Sequence, residues 1–172
     1  NLDIAREVLE GSDVKIGTVI GFPSGAHTTF SKVAEAIDAY ARGAVELDMV
    51  IDIGALRNGE YDDVYNDIKA VVDATPAVVK VILENCYLTK EQIVKGCQLC
   101  EKAGADFVKT STGFAEGGAT VEDIKLMRES VSEKVHVKAA GGIHSKEDVE
   151  ALVAAGADRV GVSRTQAIAA EF

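Results

Sequence analysis

The chain has 172 residues, of which 47% are hydrophobic, 27% charged and 5% aromatic, and it contains only 2 prolines. This length suits one domain with a sizeable core, and the hydrophobic fraction excludes a disordered chain or a proline-rich linker. The net charge of −10 disfavours a nucleic-acid partner, because a phosphate-binding surface needs a basic excess. No apolar run approaches the roughly 20 residues of a membrane-spanning helix, so no membrane partner is expected.

Short strands rich in valine and isoleucine alternate with amphipathic helices along the whole chain. Each strand is apolar on both faces, which is typical of a parallel sheet covered by helices. The predicted strands are Val14–Ile20, Val45–Ile51, Val78–Leu83, Phe107–Ser111, Val135–Ala139 and Arg159–Val162. This alternation with short connections predicts an α/β fold, with residues 1–172 forming a single domain.

Specific residues mark where the helices begin and end. Thr89 and Gln92 fit a capping box, and Thr120 and Ser145 are predicted N-caps. Three helix ends are predicted at glycines that precede an alanine, because glycine readily adopts the left-handed conformation that stops a helix. These glycines are Gly43, Gly104 and Gly156.

The three cysteines, Cys86, Cys97 and Cys100, are an odd number in a chain of ordinary size. This favours free thiols in a reducing compartment, so a cytoplasmic location is expected. Cys97 and Cys100 have CxxC spacing, but they lie in a predicted helix. Since no second cysteine pair or histidine cluster accompanies them, a structural role is favoured over a redox or metal site.

Three predicted strands carry a Val-Lys pair in the same phase. The lysines are Lys80, Lys109 and Lys138, at two equal intervals of 29 residues, and one βα unit has about 30 residues. A buried lysine is costly unless it has a partner or a task. An edge position or a snorkelling side chain would explain one such lysine. A barrel explains three, because the side chains of neighbouring parallel strands then converge on one interior.

Three segments carry most of the recognisable chemistry: ELDMVIDIG (46–54), FVKTSTGF (107–114) and VHVKAAGGIH (135–144). Together with GTVIGFPSGAHTT (17–29), KVILENCYLT (80–89) and STGFAEGGATVEDIKLMRE (111–129), they resemble the deoxyribose-phosphate aldolase family. The resemblance is collinear over essentially the whole chain. It implies the (β/α)8 TIM barrel fold and a lysine-dependent aldolase.

The resemblance implies reversible cleavage of 2-deoxy-D-ribose 5-phosphate to acetaldehyde and D-glyceraldehyde 3-phosphate through a Schiff base. Lys109 matches the lysine that forms the Schiff base, Lys138 matches the second lysine beside it, and Asp48 matches an aspartate that helps move protons. No cofactor and no metal are implied, and the expected partner is a small phosphorylated aldehyde. A homodimer is compatible with the sequence.

The residue types fit this chemistry on physical grounds. A free lysine has a pKa of about 10.4, so its ammonium form must lose a proton before it can attack a carbonyl. Burial and a neighbouring cation both favour the neutral amine, which makes Lys138 a candidate activator of Lys109. Asp48 is a candidate general acid/base, and its alternative role is an ion pair with a strand lysine. Lys80 is predicted to be structural, with Glu84 as its suggested partner.

A phosphate site is expected at the loops after the last two strands, where backbone N–H groups and glycines can approach an anion. The alternative is that these glycines only form tight turns. Two residues depart from the family: Ala140 replaces an expected serine and His144 an expected arginine. Arg164 is suggested as the replacement cation. The candidate substrate- and phosphate-binding residues are Thr112, Gly113, Gly141, Gly142, His144, Gly161, Ser163 and Arg164.

Six strands are predicted, whereas the family has eight. The opening segment resembles the helix before the family's third strand, so the first two strands are expected to be missing and the barrel to be N-terminally incomplete. One alternative function is another sugar-phosphate barrel enzyme, an isomerase or a synthase, in which the lysines only hold substrate. A second is a truncated, inactive scaffold that associates with partner chains.

Overall fold

The computed structural model describes all 172 residues, with strands and helices following one another along the chain. The strands are β1 (Gly17–Ile20), β2 (Glu46–Val50), β3 (Val78–Ile82), β4 (Phe107–Lys109), β5 (His136–Ala140) and β6 (Arg159–Gly161). The helices are α1 (Leu2–Val8), α2 (Thr29–Ala41), α3 (Ile53–Asn58), α4 (Tyr61–Ala74), α5 (Lys90–Ala103), α6 (Val121–Glu129), α7 (Lys146–Ala154) and α8 (Thr165–Ala169). A short 3₁₀ helix, Asn85–Tyr87, follows β3.

All six predicted strands are confirmed, although most are shorter than the apolar runs that predicted them. β1 begins at Gly17 rather than Val14, and β4 ends at Lys109 rather than Ser111. Beyond Lys109 the pairing continues less regularly, since the Thr110 N–H donates to the Lys138 carbonyl at 3.2 Å. An apolar run marks where the chain is buried, and burial extends past the regular strand.

The sheet is entirely parallel, and its strands follow chain order from β1 to β6. Arg159 on β6 donates to Glu46 on β2 at 2.7 Å, although three strands lie between them. In a flat sheet four strand spacings would separate these two strands by about 19 Å. The sheet is therefore curled, and the chain forms six βα units of the α/β barrel class, fewer than the eight of a closed barrel.

The strand register divides the sheet into two chemically different faces. Asp48 pairs with Lys80 across β2 and β3, and Lys109 pairs with Lys138 across β4 and β5. These charged side chains share the concave face, because residues two apart on a strand point the same way. The convex face carries buried apolar residues that pack beneath the helices, among them Leu47, Met49, Val79, Val81, Val108 and Val137.

The predicted helix caps are confirmed. Thr89 and Gln92 form a capping box, and Thr120 and Ser145 each accept a backbone N–H with their hydroxyl groups. The predicted stop glycines Gly43, Gly104 and Gly156 have φ values of 101°, 87° and 114°. Each of these values lies in the left-handed region that glycine tolerates without a steric penalty.

An aspartate follows two of those helix ends and ties neighbouring strands together. Asp106 accepts the Val79 N–H at 2.8 Å, and Asp158 accepts the Val137 N–H at the same distance. Both bonds lie where β3 and β5 begin, at the opposite end of the sheet from the strands' carboxyl ends. They stabilise the end of the sheet that lies opposite the concave mouth.

The CxxC cysteines lie in the core beneath the sheet. Cys97 and Cys100 are buried on α5, and burial raises the pKa of the Cys97 thiol to about 12. A protonated, enclosed thiol packs as a small apolar side chain. None of the helices combines the length and hydropathy that crossing a bilayer requires.

Candidate active site

The curled sheet brings Asp48, Lys109 and Lys138 into direct contact on its concave face. Both lysines donate to the same carboxylate oxygen, Oδ2 of Asp48, at 2.7 Å from Lys109 and 2.8 Å from Lys138. The two lysine nitrogens therefore cannot lie further apart than the sum of these distances. The expected proximity of the two amines is confirmed.

The three groups lie in a crowded interior rather than in open solvent. The side chains of Lys109 and Lys138 are 10% and 14% exposed, and that of Asp48 is 9% exposed. Lys109 lines the cavity at the mouth of the sheet, so a small carbonyl compound can reach its amine. The ion pair that sequence reasoning offered as the alternative role of Asp48 is present, and its catalytic role stays a prediction.

The cations around Asp48 keep it ionised. Burial by itself would raise the pKa of this carboxyl group, but the charges and hydrogen bonds of Lys109 and Lys138 outweigh burial. They hold the pKa of Asp48 well below its usual range. At neutral pH Asp48 is therefore a hydrogen-bond acceptor between two amines.

Lys138 is the amine whose proton affinity the site reduces. Burial and the neighbouring charge of Lys109 lower the pKa of Lys138, and the Asp48 carboxylate only partly opposes them. Among groups that share one small volume, a proton leaves the cluster most readily where like charges crowd. Lys138 thus gives up its proton more readily than a free lysine does.

Beneath this cluster, Lys80 is fully buried between two carboxylates. Its ammonium group lies 2.9 Å from Asp48 and 2.7 Å from Glu46. The suggestion that Glu84 is its partner is wrong, because Lys80 lies on the concave face pointing at β2. Glu84 lies beyond the end of β3 and binds Thr112 instead.

Glu46 joins the buried lysine to the far side of the sheet. It accepts from Lys80 and from Arg159, each at 2.7 Å. Burial opposes its ionisation, yet the hydrogen bonds from Lys80 and Arg159 lower the pKa of Glu46. Sequence reasoning missed Glu46 and Arg159, although Glu46 lies two residues before Asp48 and therefore faces the same way.

An open cavity of about 390 Å³ lies at the mouth, beside Lys109. Its lining includes all but one of the predicted substrate-binding residues: Thr112, Gly113, Gly141, Gly142, His144, Gly161 and Ser163. The backbone N–H groups of Gly113, Gly142 and Ser163 donate no hydrogen bond within the protein. Unpaired N–H groups of residues that line a polar cavity are suited to a phosphate or another oxyanion.

Arg164 is the predicted residue that this cavity leaves out. It is exposed at the N-cap of α8 and does not line the cavity. His144 does line it, although its backbone N–H is engaged by Asp148 at 2.9 Å. The free backbone N–H groups of the cavity therefore remain as donors to an anion.

The loop after β4 is held tightly between its neighbours. A Cβ on Gly117 would lie 2.4 Å from the Cβ of Cys86, and a Cβ on Gly118 would lie 2.5 Å from the carbonyl oxygen of Gly141. Ala119 donates its N–H to that same oxygen at 3.0 Å. Two small residues in succession allow this loop to lie between the loops after β3 and β5.

The chain is similar to known aldolases along most of its length. The model of the DeoC/LacD family of aldolases matches residues 1–166. A deoxyribose-phosphate aldolase of Thermoanaerobacter pseudethanolicus is 55% identical over 99% of this chain and 78% of its own length. One from Clostridium perfringens is 58% identical over 98% of this chain and 76% of its own.

A solved aldolase structure is also similar to this chain in its fold. The tetrameric deoxyribose phosphate aldolase of Aeropyrum pernix superposes with a TM-score of 0.90 at 32% identity. The match covers 99% of this chain and 73% of that one. The concave charged cluster and the mouth cavity therefore belong to a fold that aldolases use.

Proposed function

The chain belongs to the DeoC/LacD family of aldolases, and on that premise we propose that it cleaves 2-deoxy-D-ribose 5-phosphate reversibly to acetaldehyde and D-glyceraldehyde 3-phosphate. The proposal takes its substrate from the deoxyribose-phosphate aldolases that the chain resembles. One observation carries the mechanism: Lys109 and Lys138 share one carboxylate oxygen of Asp48 in a nearly closed interior.

Lys109 is the proposed nucleophile, because it lines the mouth cavity while Lys80 is sealed beneath it. Its neutral amine attacks the substrate aldehyde carbon and forms a carbinolamine. Loss of water then gives a protonated imine on Lys109. The imine accepts the electron pair of the breaking C–C bond, which is the purpose of covalent catalysis by an amine.

Lys138 and Asp48 supply the proton transfers. Lys138 favours the neutral amine of Lys109, because its charge lies beside that amine at the shared oxygen of Asp48. The proton of Lys109 passes to water in the mouth, and Lys138, whose pKa is lowered, donates a proton to the carbinolamine hydroxyl as water leaves. A base in the mouth accepts the substrate hydroxyl proton during C–C cleavage, and Asp48, directly or through a water, is the proposed group.

The phosphate of the substrate is proposed to lie in the mouth cavity. Gly113, Gly142 and Ser163 present free N–H groups there, next to the Lys109 amine. This arrangement places the aldehyde end at Lys109 and the charged end at the glycine loops. Gly141, Gly161, His144 and Thr112 complete the proposed wall, whereas Arg164 lies outside the cavity lining.

The remaining features follow the same proposal. The reaction is of the class I, metal-independent type, since an imine replaces a metal ion as the electron sink. The enzyme acts in the cytoplasm in deoxyribonucleotide breakdown as one domain, residues 1–172, and self-association is proposed because the Aeropyrum pernix relative is a tetramer. Neither the non-covalent isomerase or synthase nor the inactive scaffold is favoured, because the relatives are named as aldolases.

Reductive trapping tests the proposal. Incubation with acetaldehyde and borohydride is expected to add one ethyl group to the protein, at Lys109 in a peptide map. Lys109→Met is expected to abolish the adduct and to lower the cleavage rate by about 10³-fold or more, as for loss of other covalent nucleophiles. Lys125→Met, on the outer helix α6, is the matched control. An adduct that persists in Lys109→Met would refute the assignment.

A further inference from the structure

Glu84 has a backbone conformation that a side chain rarely adopts. It is the sole residue other than glycine with a positive φ, at φ 58° and ψ 63°. Glycine would adopt these angles without a steric penalty, whereas glutamate does so at a cost in free energy. Such strain at the carboxyl end of a strand indicates that the glutamate side chain has a specific role there.

The backbone on both sides of Glu84 is anchored to the strand that carries Lys109. The Leu83 N–H donates to the Lys109 carbonyl at 2.9 Å, and the Asn85 N–H donates to the Thr110 carbonyl at 3.0 Å. Between these two bonds the chain turns through the left-handed conformation. This turn directs the Glu84 side chain toward the loop after β4 rather than outward.

The carboxylate of Glu84 binds a single residue of that loop. It accepts the Thr112 N–H at 3.1 Å and also accepts the Thr112 hydroxyl proton. Glu84 is 2% exposed, and both of its carboxylate oxygens bind Thr112. Hydrogen bonds to a carboxylate are stronger than those to a neutral acceptor.

Thr112 in turn fixes the position of the residues that follow it. Its hydroxyl oxygen accepts the Phe114 N–H at 3.0 Å, so both the proton and a lone pair of the hydroxyl are engaged. Gly113 lies between the two bonded residues, at φ 84°; its N–H donates no hydrogen bond within the protein, and the residue lines the mouth cavity. Both protons of Thr112, on its N–H and its hydroxyl, are therefore directed to Glu84, and Thr112 has no proton left to donate to a ligand.

We infer that Glu84 is a positioning residue, which holds the Thr112–Phe114 turn so that the Gly113 N–H stays aimed at the phosphate end of the substrate. The inference rests on the proposed function, because that function supplies the phosphorylated substrate that the turn orients. It also revises the part proposed for Thr112, whose hydroxyl acts within the protein rather than on the substrate.

The test separates the phosphate end of the reaction from the amine end. Glu84→Gln keeps the shape but loses the charge and one of the two acceptor contacts. It is expected to raise KM for 2-deoxyribose 5-phosphate about tenfold, while acetaldehyde trapping at Lys109 stays within about twofold of the unmodified protein. Asp106→Asn is the control, because it weakens a similar carboxylate-to-backbone bond at the opposite end of the sheet.

A pair of threonine variants tests the same contact without touching Glu84. Thr112→Val removes the hydroxyl and is expected to raise KM similarly, whereas Thr112→Ser retains it and is expected to restore KM. If Thr112 acts through Glu84, the double variant Glu84→Gln/Thr112→Val is expected to match the single variants rather than to multiply their effects. Multiplied effects would show Thr112 binding substrate by itself and would overturn the inference.

The outcomes distinguish this inference from the proposed function. Failure of the unmodified protein to trap acetaldehyde at Lys109 would refute the proposed function. Normal trapping together with an unchanged KM in Glu84→Gln and Thr112→Val would refute only the role of Glu84. If Glu84→Gln fails to fold, the contrast between Thr112→Val and Thr112→Ser decides the matter.

Discussion

Asp48 is the residue at which the charges of the site meet. One carboxylate receives Lys80 on one oxygen and both Lys109 and Lys138 on the other. A lone aspartate this deeply buried would resist ionisation, and here three amines make ionisation favourable. The same contacts hold the amines together against their mutual repulsion, so Asp48 both assembles the site and tunes it.

Replacing Asp48 tests this double role. Asp48→Asn removes the anion that raises the pKa of Lys138, so Lys138 loses its proton more easily. The acidic limb of the acetaldehyde-trapping rate is therefore expected to move to lower pH. The cleavage rate is expected to fall by about 10²-fold or more, because the proposed acid/base is gone.

The measurement is a pH profile of borohydride trapping, set beside steady-state cleavage rates. Asp106→Asn, which leaves the concave face intact, is expected to keep the profile of the unmodified protein. An acidic limb that stays in place or moves to higher pH in Asp48→Asn would contradict the assignment of Asp48 as the anion that governs the lysines.

At the scale of elements, the loop after β4 depends on two glycines for its place in the site. Gly118 has no positive φ to explain it, but a Cβ there would lie 2.5 Å from the Gly141 carbonyl oxygen. That carbonyl belongs to the loop which lines the cavity with Gly142. The close approach of two backbones, rather than a special turn, requires the glycine.

Gly118→Ala is expected to push these two loops apart. The backbone clash is expected to cost roughly 1–3 kcal/mol in the free energy of unfolding, as overpacking generally does. KM for the phosphorylated substrate is expected to rise more than acetaldehyde trapping falls. Denaturant unfolding and steady-state kinetics provide the two measurements.

Gly17→Ala on β1 is the matched control, because its added Cβ would meet Glu46 at an ordinary 3.6 Å. Equal stability and KM in both alanine variants would mean that the loop has room the structure does not show. The comparison isolates the clash from the general effect of replacing glycine.

Most local features of these elements follow from the sequence. Thr89, Thr120 and Ser145 cap helices as their spacing predicts, since capping involves groups only two or three residues apart. The predicted strand ends are less accurate, because each apolar run continues into buried residues outside the regular strand pairing. Glu84 shows a different limit: its left-handed backbone has no signature in a segment that otherwise reads as strand and loop.

At the scale of the whole molecule, the interior charges connect strands that are distant in the sheet. Arg159 on β6, Glu46 on β2 and Lys80 on β3 form a continuous set of ion pairs across the curled face. Phe107 lies between the cations, with Arg159 4.9 Å and Lys80 5.9 Å from its ring centre. These contacts hold the curvature from inside.

Acid is expected to weaken this arrangement. The pKa values of Glu46 and Asp48 are lowered in the folded protein, so both groups stabilise it fully above their unfolded values, and that contribution is lost as the pH falls toward the folded ones. The free energy of unfolding is expected to decrease as the pH falls from about 5 to 3. Denaturant unfolding at a series of pH values measures it.

Glu46→Gln identifies the contribution of one carboxylate. The variant is expected to be less stable than the unmodified protein at pH 7, and the difference is expected to shrink as the pH falls toward the lowered pKa of the folded protein's Glu46. Glu133→Gln, at an exposed position without an ion pair, is the control and is expected to show no difference. A constant deficit at all pH values would mean that Glu46 acts by packing rather than by charge.

The sequence by itself determined the six βα units, the helix caps and the phase that puts Lys109 and Lys138 side by side, because periodicity and turn chemistry act over a few residues. Only the tertiary structure decided that Asp48 binds three lysines, that Arg159 reaches Glu46, that Glu84 binds Thr112 rather than Lys80, and that Arg164 stays outside the cavity. Those contacts depend on how far the sheet curls and where each loop is anchored, and a local sequence pattern encodes neither property.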